Sequence, residues 1–280
     1  MSKRALCIGI NNYPGTHMDL AGCVNDANAW ADELGARGFE VTRLLDAQAT
    51  KFAMVKAMET VIGGAASGDV VVITYSGHGT YVPDTSGDEA DGLDEGLCPH
   101  DIQTGGGALL DDEIHHLFGE RKGGVKLVLI SDSCHSGTVT RAVAPDPDAG
   151  DAPRPRFLPM GNWLPPDKLP RNASGKPPAT VQAPNGTSPL EKAMSRRFGD
   201  LLLAGCKEGP NNFSYDARIA GKPTGAFTYY ALKALKALPA NATYGQWIAA
   251  ITPAFLPSAS YPQVPQIVGS AEARHRKIFT

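Results

Sequence analysis

No C-x-x-C pair occurs in this sequence, and no apolar run approaches the roughly 18 residues needed to cross a bilayer. The five cysteines (Cys7, Cys23, Cys98, Cys134, Cys206) are odd in number and scattered. That argues against zinc and against a paired secreted framework, and it leaves thiols free for chemistry. Charge of one sign is lacking too: 26 basic against 29 acidic residues, a net charge of −3, and no Lys/Arg block. A nucleic-acid or membrane-surface partner is therefore not expected. A leader is absent from the pattern as well. Ala5-Leu6-Cys7-Ile8-Gly9-Ile10 follows Met1-Ser2-Lys3-Arg4, but it is short for a signal core of about 7–15 residues and runs straight into Asn11-Asn12. It reads as a buried first strand, and the protein as cytoplasmic.

What is present is an alternation. Strand-like runs at 5–10, 39–45, 70–75 and 125–131 are separated by helical patterns at 26–35, 51–62 and 111–118. On the second of these helices Phe52, Val55, Met58 and Ile62 form the expected apolar face. Val70 to Tyr75 is continuously apolar and β-branched rather than alternating, as in a strand covered on both sides. The order predicts an α/β fold with a mostly parallel sheet of about six strands and helices on both faces. Residues 142–198 break the pattern: they hold more than half of the 22 prolines and little periodicity, and read as a structureless linker or functional loop. Its basic residues (Arg154, Arg156, Lys168, Arg171, Lys176, Lys192, Arg196 and Arg197) are expected to be open to proteolysis. Order returns with a strand at 200–206, helices at 224–238 and 244–251, and a closing strand at 266–270. The division is thus 1–141, 142–198 and 199–280 within one domain.

In such sheets, functional groups gather where strands end at their carboxyl side. Two loops qualify: Tyr75-Ser76-Gly77-His78-Gly79-Thr80, and Ser131-Asp132-Ser133-Cys134-His135-Ser136-Gly137. A lone cysteine after a strand is more often a small buried hydrophobe. The pairing with a glycine-flanked histidine makes a thiol–imidazole dyad the better reading, because cysteine attack on a carbonyl needs a thiolate, a proton donor for the leaving amine and donors for the oxyanion. The backbone N–H groups of Gly79 and Cys134 are the candidate oxyanion donors.

These two motifs resemble the paired catalytic signature of the metacaspases, caspase relatives among the cysteine peptidases. Gly22-Cys23-Val24-Asn25-Asp26-Ala27, Gly225-Ala226-Phe227-Thr228 and Pro262-Gln263-Val264-Pro265-Gln266 resemble further family blocks. The resemblance implies a caspase-like three-layer sandwich in a bacterial-type member without a pro-domain. It also implies Cys134 as nucleophile, His78 as general acid/base, and cleavage of protein substrates after Arg or Lys by a monomer. Asp26 and Asp132 match the acids of its S1 pocket, and carboxylates there suit a guanidinium. No cofactor is needed for the chemistry. Calcium enters only as an activator, with Asp94, Asp111 and Asp112 matching three ligand positions. Arg141 stands where a fourth carboxylate is expected, and Asp84, Asp88, Glu89 and Asp91 are the alternatives. Asp111 and Asp112 also suit the cap and first turn of a helix. The insert between the two subunit-like parts is expected to be either a site of self-processing, as in the plant type II members, or a passive loop over the cleft. The competing readings are an inactive scaffold on the same fold and a peptidase for a non-basic residue.

Overall fold

A computed structural model describes residues 1–83, 93–134, 152–169, 200–207 and 212–280. The chain runs through β1 (Lys3–Gly9), α1 (Cys23–Ala36), β2 (Glu40–Leu45), α2 (Lys51–Gly63), β3 (Val70–Ser76), β4 (Gly79–Pro83), β5 (Leu93–Leu97), β6 (Leu109–Leu110), α3 (Asp111–Gly119) and β7 (Lys126–Asp132). Then follow β8 (Arg154–Pro155), β9 (Asp200–Ala204), β10 (Tyr215–Ile219), β11 (Lys222–Gly225), α4 (Ala226–Ala237), α5 (Tyr244–Ile251), β12 (Gln266–Val268) and α6 (Ala271–His275).

Six strands form the central sheet in the order β12-β9-β7-β3-β1-β2, parallel except where β12 meets β9. This is the expected architecture. The continuous apolar strand β3 is buried along its whole length because both faces are covered. On one face Leu6, Ile8, Val71 and Ile73 pack with Met54, Met58 and Ile62 of α2. On the other, Ala5, Cys7, Val70, Val72 and Ile130 pack with Trp30 and Leu34 of α1 and with Phe227, Ala231 and Leu235 of α4.

Two expectations are corrected by the packing. Helix α2 buries Met54, Met58, Val61 and Ile62, whereas Phe52 is 78% exposed. The i, i+4, i+7, i+8 stripe, rather than the aromatic at its edge, meets the sheet. The helix expected from Thr224 begins at Ala226 instead; Thr224 and Gly225 close β11, paired with β10. For the insert, the described part 152–169 is not structureless. Arg154 and Pro155 pair with β10, opposite Asp216 and Tyr215, and Met160–Asn162 form a turn of 3-10 helix. Prolines that lack a donor are tolerated in such a two-residue strand, because Arg156 supplies the N–H that bonds the Ser214 carbonyl (2.8 Å). Among the described residues no helix is long and apolar enough to cross a membrane.

Candidate active site

Strands β3 and β7 are neighbours in parallel register, with Ser76 opposite Asp132. The loops after them are therefore side by side, and His78 and Cys134, far apart in sequence, occupy one end of the sheet. Gly77 permits the turn that carries His78 inward: a Cβ there would overlap the hydroxyls of Tyr13 and Tyr75. Those tyrosines hold the loop. Tyr13 Oη accepts the His78 N–H (2.8 Å), and Tyr75 Oη donates to the His78 carbonyl (2.6 Å). His78 Nε2 lies 2.6 Å from the Met18 carbonyl. A carbonyl can only accept, so Nε2 carries the proton. Nδ1 makes no hydrogen bond among the described residues and is the atom that can take a proton.

Cys134 is fully buried. Its Sγ accepts the Ser214 N–H (2.7 Å) and donates to the Ser214 carbonyl (3.4 Å). The backbone N–H of Cys134 and that of Gly79 converge on one oxygen, the carbonyl of Arg156, at 3.1 and 3.0 Å. These are the two donors singled out from the sequence, and what they hold is a peptide carbonyl of the insert.

The side chain of the same residue fills the acidic pocket. Arg156 has no exposed surface. One terminal nitrogen donates to Asp26 Oδ2 (2.6 Å) and Asp216 Oδ1 (3.0 Å). The other lies 3.2 Å from Asp132 Oδ2 and donates to the Asp132 carbonyl (3.1 Å). Each carboxylate is itself held. Asp26 accepts the Gly225 N–H and the Thr224 hydroxyl. Asp132 accepts the N–H and hydroxyl of Thr228 in the first turn of α4, and the Ser214 hydroxyl. Asp216 accepts the N–H groups of Ala21 and Gly22. Gly225 is needed at the pocket wall, since a Cβ there would overlap the Asp132 carboxylate and the Arg156 guanidinium.

Three carboxylates around one guanidinium leave an excess of negative charge in a dry pocket, where only a cation is well accommodated. The same crowding appears in the titration. Burial, opposed by Arg156 and reinforced by Asp132, pushes the Asp26 pKa from 3.8 to about 6. Burial pulls His78 from 6.5 down to about 4, and pushes the Cys134 thiol well above its ordinary value. With the segment in place, the pair is therefore a neutral thiol and a neutral imidazole rather than an ion pair.

Those shifts have opposite signs in one pH window. Below pH 6.5 the unfolded chain protonates His78 while the folded chain refuses the proton until about pH 4, so stability is lost as pH falls. Folded Asp26 takes its proton near pH 6 and unfolded Asp26 only near 3.8, so stability is gained as pH falls. His78→Gln is expected to melt progressively higher than wild type as pH is lowered from 6.5 to 4, and Asp26→Asn progressively lower. Each effect is on the order of 3 kcal/mol at its limit, and scanning calorimetry across the window reads both.

A family model described as "Metacaspase, peptidase C14 domain" matches residues 3–142. Metacaspase-1 of Mycosarcoma maydis is 33% identical over 96% of this chain and 70% of its own. The chain belongs to the metacaspase family. It is thereby a member of the cysteine-type peptidases. Metacaspase-1A of Neurospora crassa is 32% identical over 96% of this chain, and this chain spans 63% of that relative's length. Among solved structures, a Geobacter sulfurreducens protein aligns over 100% of this chain and 99% of its own, with TM-score 0.71 and 26% identity. Caspase-1 from Spodoptera frugiperda aligns over 96% of this chain and 87% of its own, with TM-score 0.53 at 11% identity, a likeness of fold.

The metacaspase blocks read from the sequence meet at this pocket. Gly22 to Ala27 brings Asp26, and Gly225 to Thr228 brings the pocket wall and the donors to Asp132. Gln263 spans the Gly205 carbonyl (2.9 Å) and the Tyr215 N–H (3.3 Å), fixing the strand that lines the cleft. Sequence reasoning missed Asp216, Ser214 and the Met18 carbonyl, and it read Arg156 as an open target for proteolysis, whereas that residue is fully buried.

The calcium positions are a separate matter. Asp94 lies on β5, opposite Val82. Asp111 and Asp112 open α3, whose N-cap is Leu110 rather than Asp111, with Glu113 reaching back to the Leu110 N–H (2.9 Å). Among the described residues no three His, Cys, Asp or Glu side chains are grouped to hold a metal ion. Residues 84–91 and Arg141, like His135, lie outside the described residues.

Proposed function

We propose that this metacaspase is an endopeptidase for bonds that follow Arg or Lys, and that the bond between Arg156 and Phe157 is its own processing site. The observation that carries this reading is the seating of Arg156. Its guanidinium is paired with Asp26, Asp132 and Asp216, and its carbonyl is held by the Gly79 and Cys134 N–H groups. That is how a substrate residue and its scissile carbonyl must sit for acyl transfer.

The steps follow from the atoms present. Cys134 gives its proton to Nδ1 of His78, which the Met18 carbonyl holds in the required tautomer, and Sγ attacks the carbonyl carbon of Arg156. The developing oxyanion is held by the same two N–H groups. His78 returns the proton to the nitrogen of Phe157 as the C–N bond breaks, leaving a thioester on Cys134. Water, deprotonated by His78, then hydrolyses the thioester to the Arg156 carboxylate and the free thiol. Until that reaction the segment occupies the cleft, so the intact chain is a zymogen.

The substrates are proteins and peptides presenting a basic residue, and the enzyme acts as a monomer. The five cysteines, all reduced and buried, suit the cytoplasm. A test is a set of peptides identical but for Arg, Lys or Asp at the cleaved position. Cleavage after Arg and Lys about a hundredfold or more above cleavage after Asp is expected from the desolvated charge pairs. Equal rates, or a preference for Asp, would overturn the assignment.

A further inference from the structure

We infer that the cleft also selects the two residues on the leaving side of the bond, taking an aromatic side chain directly after the basic residue and an apolar one next. This rests on the peptidase reading above and adds a second determinant of specificity to it.

The observation is an asymmetry along the docked segment. On the acyl side, Pro155 is exposed and Arg154 only half-buried. On the leaving side, Phe157 is 2% exposed and Leu158 is fully buried. Beyond Arg156, the surface removed from water therefore lies on the side that departs.

The pocket for Phe157 is built on the strand that supplies an oxyanion donor. Gly79 opens β4, and Tyr81 lies two residues along it, on the same face. The Phe157 ring stacks on Tyr81 with centroids 5.5 Å apart and an interplanar angle of 28°. Cys206 and Cys134 belong to the same apolar cluster, and Phe213 packs against it.

The backbone register is also fixed past the bond. The Gly79 N–H donates to the Arg156 carbonyl, and the Leu158 N–H donates back to the Gly79 carbonyl (2.9 Å). The hydroxyl of Thr80, a fully buried residue, donates to the Leu158 carbonyl (2.7 Å). The side chain of Leu158 enters the main core cluster. Main-chain bonds set the frame, and two side-chain positions are read within it. Because Gly79 belongs to both the oxyanion hole and this ladder, correct seating of the leaving side helps place the scissile carbonyl.

The test uses the full-length enzyme and peptides spanning 152–161, with Phe, Ala or Asp at position 157, followed by mass spectrometry. Wild type is expected to cut the Phe peptide about tenfold or more faster than the Ala peptide in kcat/KM, from the aromatic contact and the buried area. The Asp peptide is expected to be slower still. In Tyr81→Ala the ratio of Phe to Ala should fall to about two or less. A parallel arm places the change in the enzyme's own segment: Phe157→Asp in the full chain should slow self-cleavage after Arg156 more than the apolar Phe157→Leu does. Equal cutting of the three peptides by wild type, or a preference preserved in Tyr81→Ala, would overturn the inference while leaving the cut after Arg intact. Failure to cut any Arg peptide would instead bring down the peptidase reading beneath it.

Discussion

Cys134→Ala is expected to remain a single chain of 29.5 kDa, while the wild-type protein accumulates two fragments. The change removes only a sulfur atom, so the pocket around Arg156 and both oxyanion N–H groups persist. What is lost is the nucleophile, and with it the acyl-enzyme route. Removal of such a group costs on the order of 10⁴-fold or more in turnover. The same variant should cut no added Arg peptide at a measurable rate. A small effect, below about tenfold on both readouts, would mean that the thiol does not do the chemistry, however well the carbonyl is held. Persistence of the docked segment in this variant, read as protection of Arg156 from added trypsin, would show that the loss is chemical rather than structural.

The second large effect concerns charge. Asp26 makes the shortest contact with the guanidinium, 2.6 Å, in a site from which water is excluded. Asp26→Asn keeps the shape but removes a full charge and turns a donor toward Arg156 or Gly225. Breaking a buried pair in this way costs about 3–5 kcal/mol. Converted, that is roughly 10²- to 5 × 10³-fold in kcat/KM for Arg and Lys peptides. Alkylation of Cys134 by a small electrophile should be affected far less, because the thiol is tied to Ser214 rather than to the pocket acids. Parallel loss of alkylation and peptide cleavage would mean that Asp26 supports the fold of the whole site and not the recognition of charge.

Much of this molecule could be read from residue pattern, for identifiable reasons. The continuous apolar run at Val70 to Tyr75 is legible because a strand buried on both faces has no polar face to alternate with. His78 and Cys134 are legible because strand ends of a parallel sheet are where backbone N–H groups and small loops are free to meet a ligand. Asp26 and Asp132 are legible only through the resemblance, since spacing does not bring residues 26 and 132 together; helix α1 and strand β7 do. Phe52 is not legible as exposed because a stripe drawn at helical spacing takes in the largest apolar residue, while the sheet selects a helix face.

Residues 152–169 of the insert are the part that the sequence hides most completely. Proline-rich sequence without periodicity has no core-forming signal, so 152–169 reads as linker. Its order comes from outside it: a charge pocket, two N–H groups and the edge of β10, none of which is encoded locally. Arg156 therefore looks like any basic residue in a loop until the three carboxylates are seen around it. Asp216 is hidden for the same reason, on a short strand held between β11 and the insert.

The most direct test of the central claim is identification of the new termini in wild-type protein after self-processing, by intact mass and N-terminal sequencing. The account requires one fragment ending at Arg156 and another beginning Phe157-Leu158-Pro159. Fragments generated by Cys134 at another basic residue of the insert, with the bond after Arg156 intact, would contradict it.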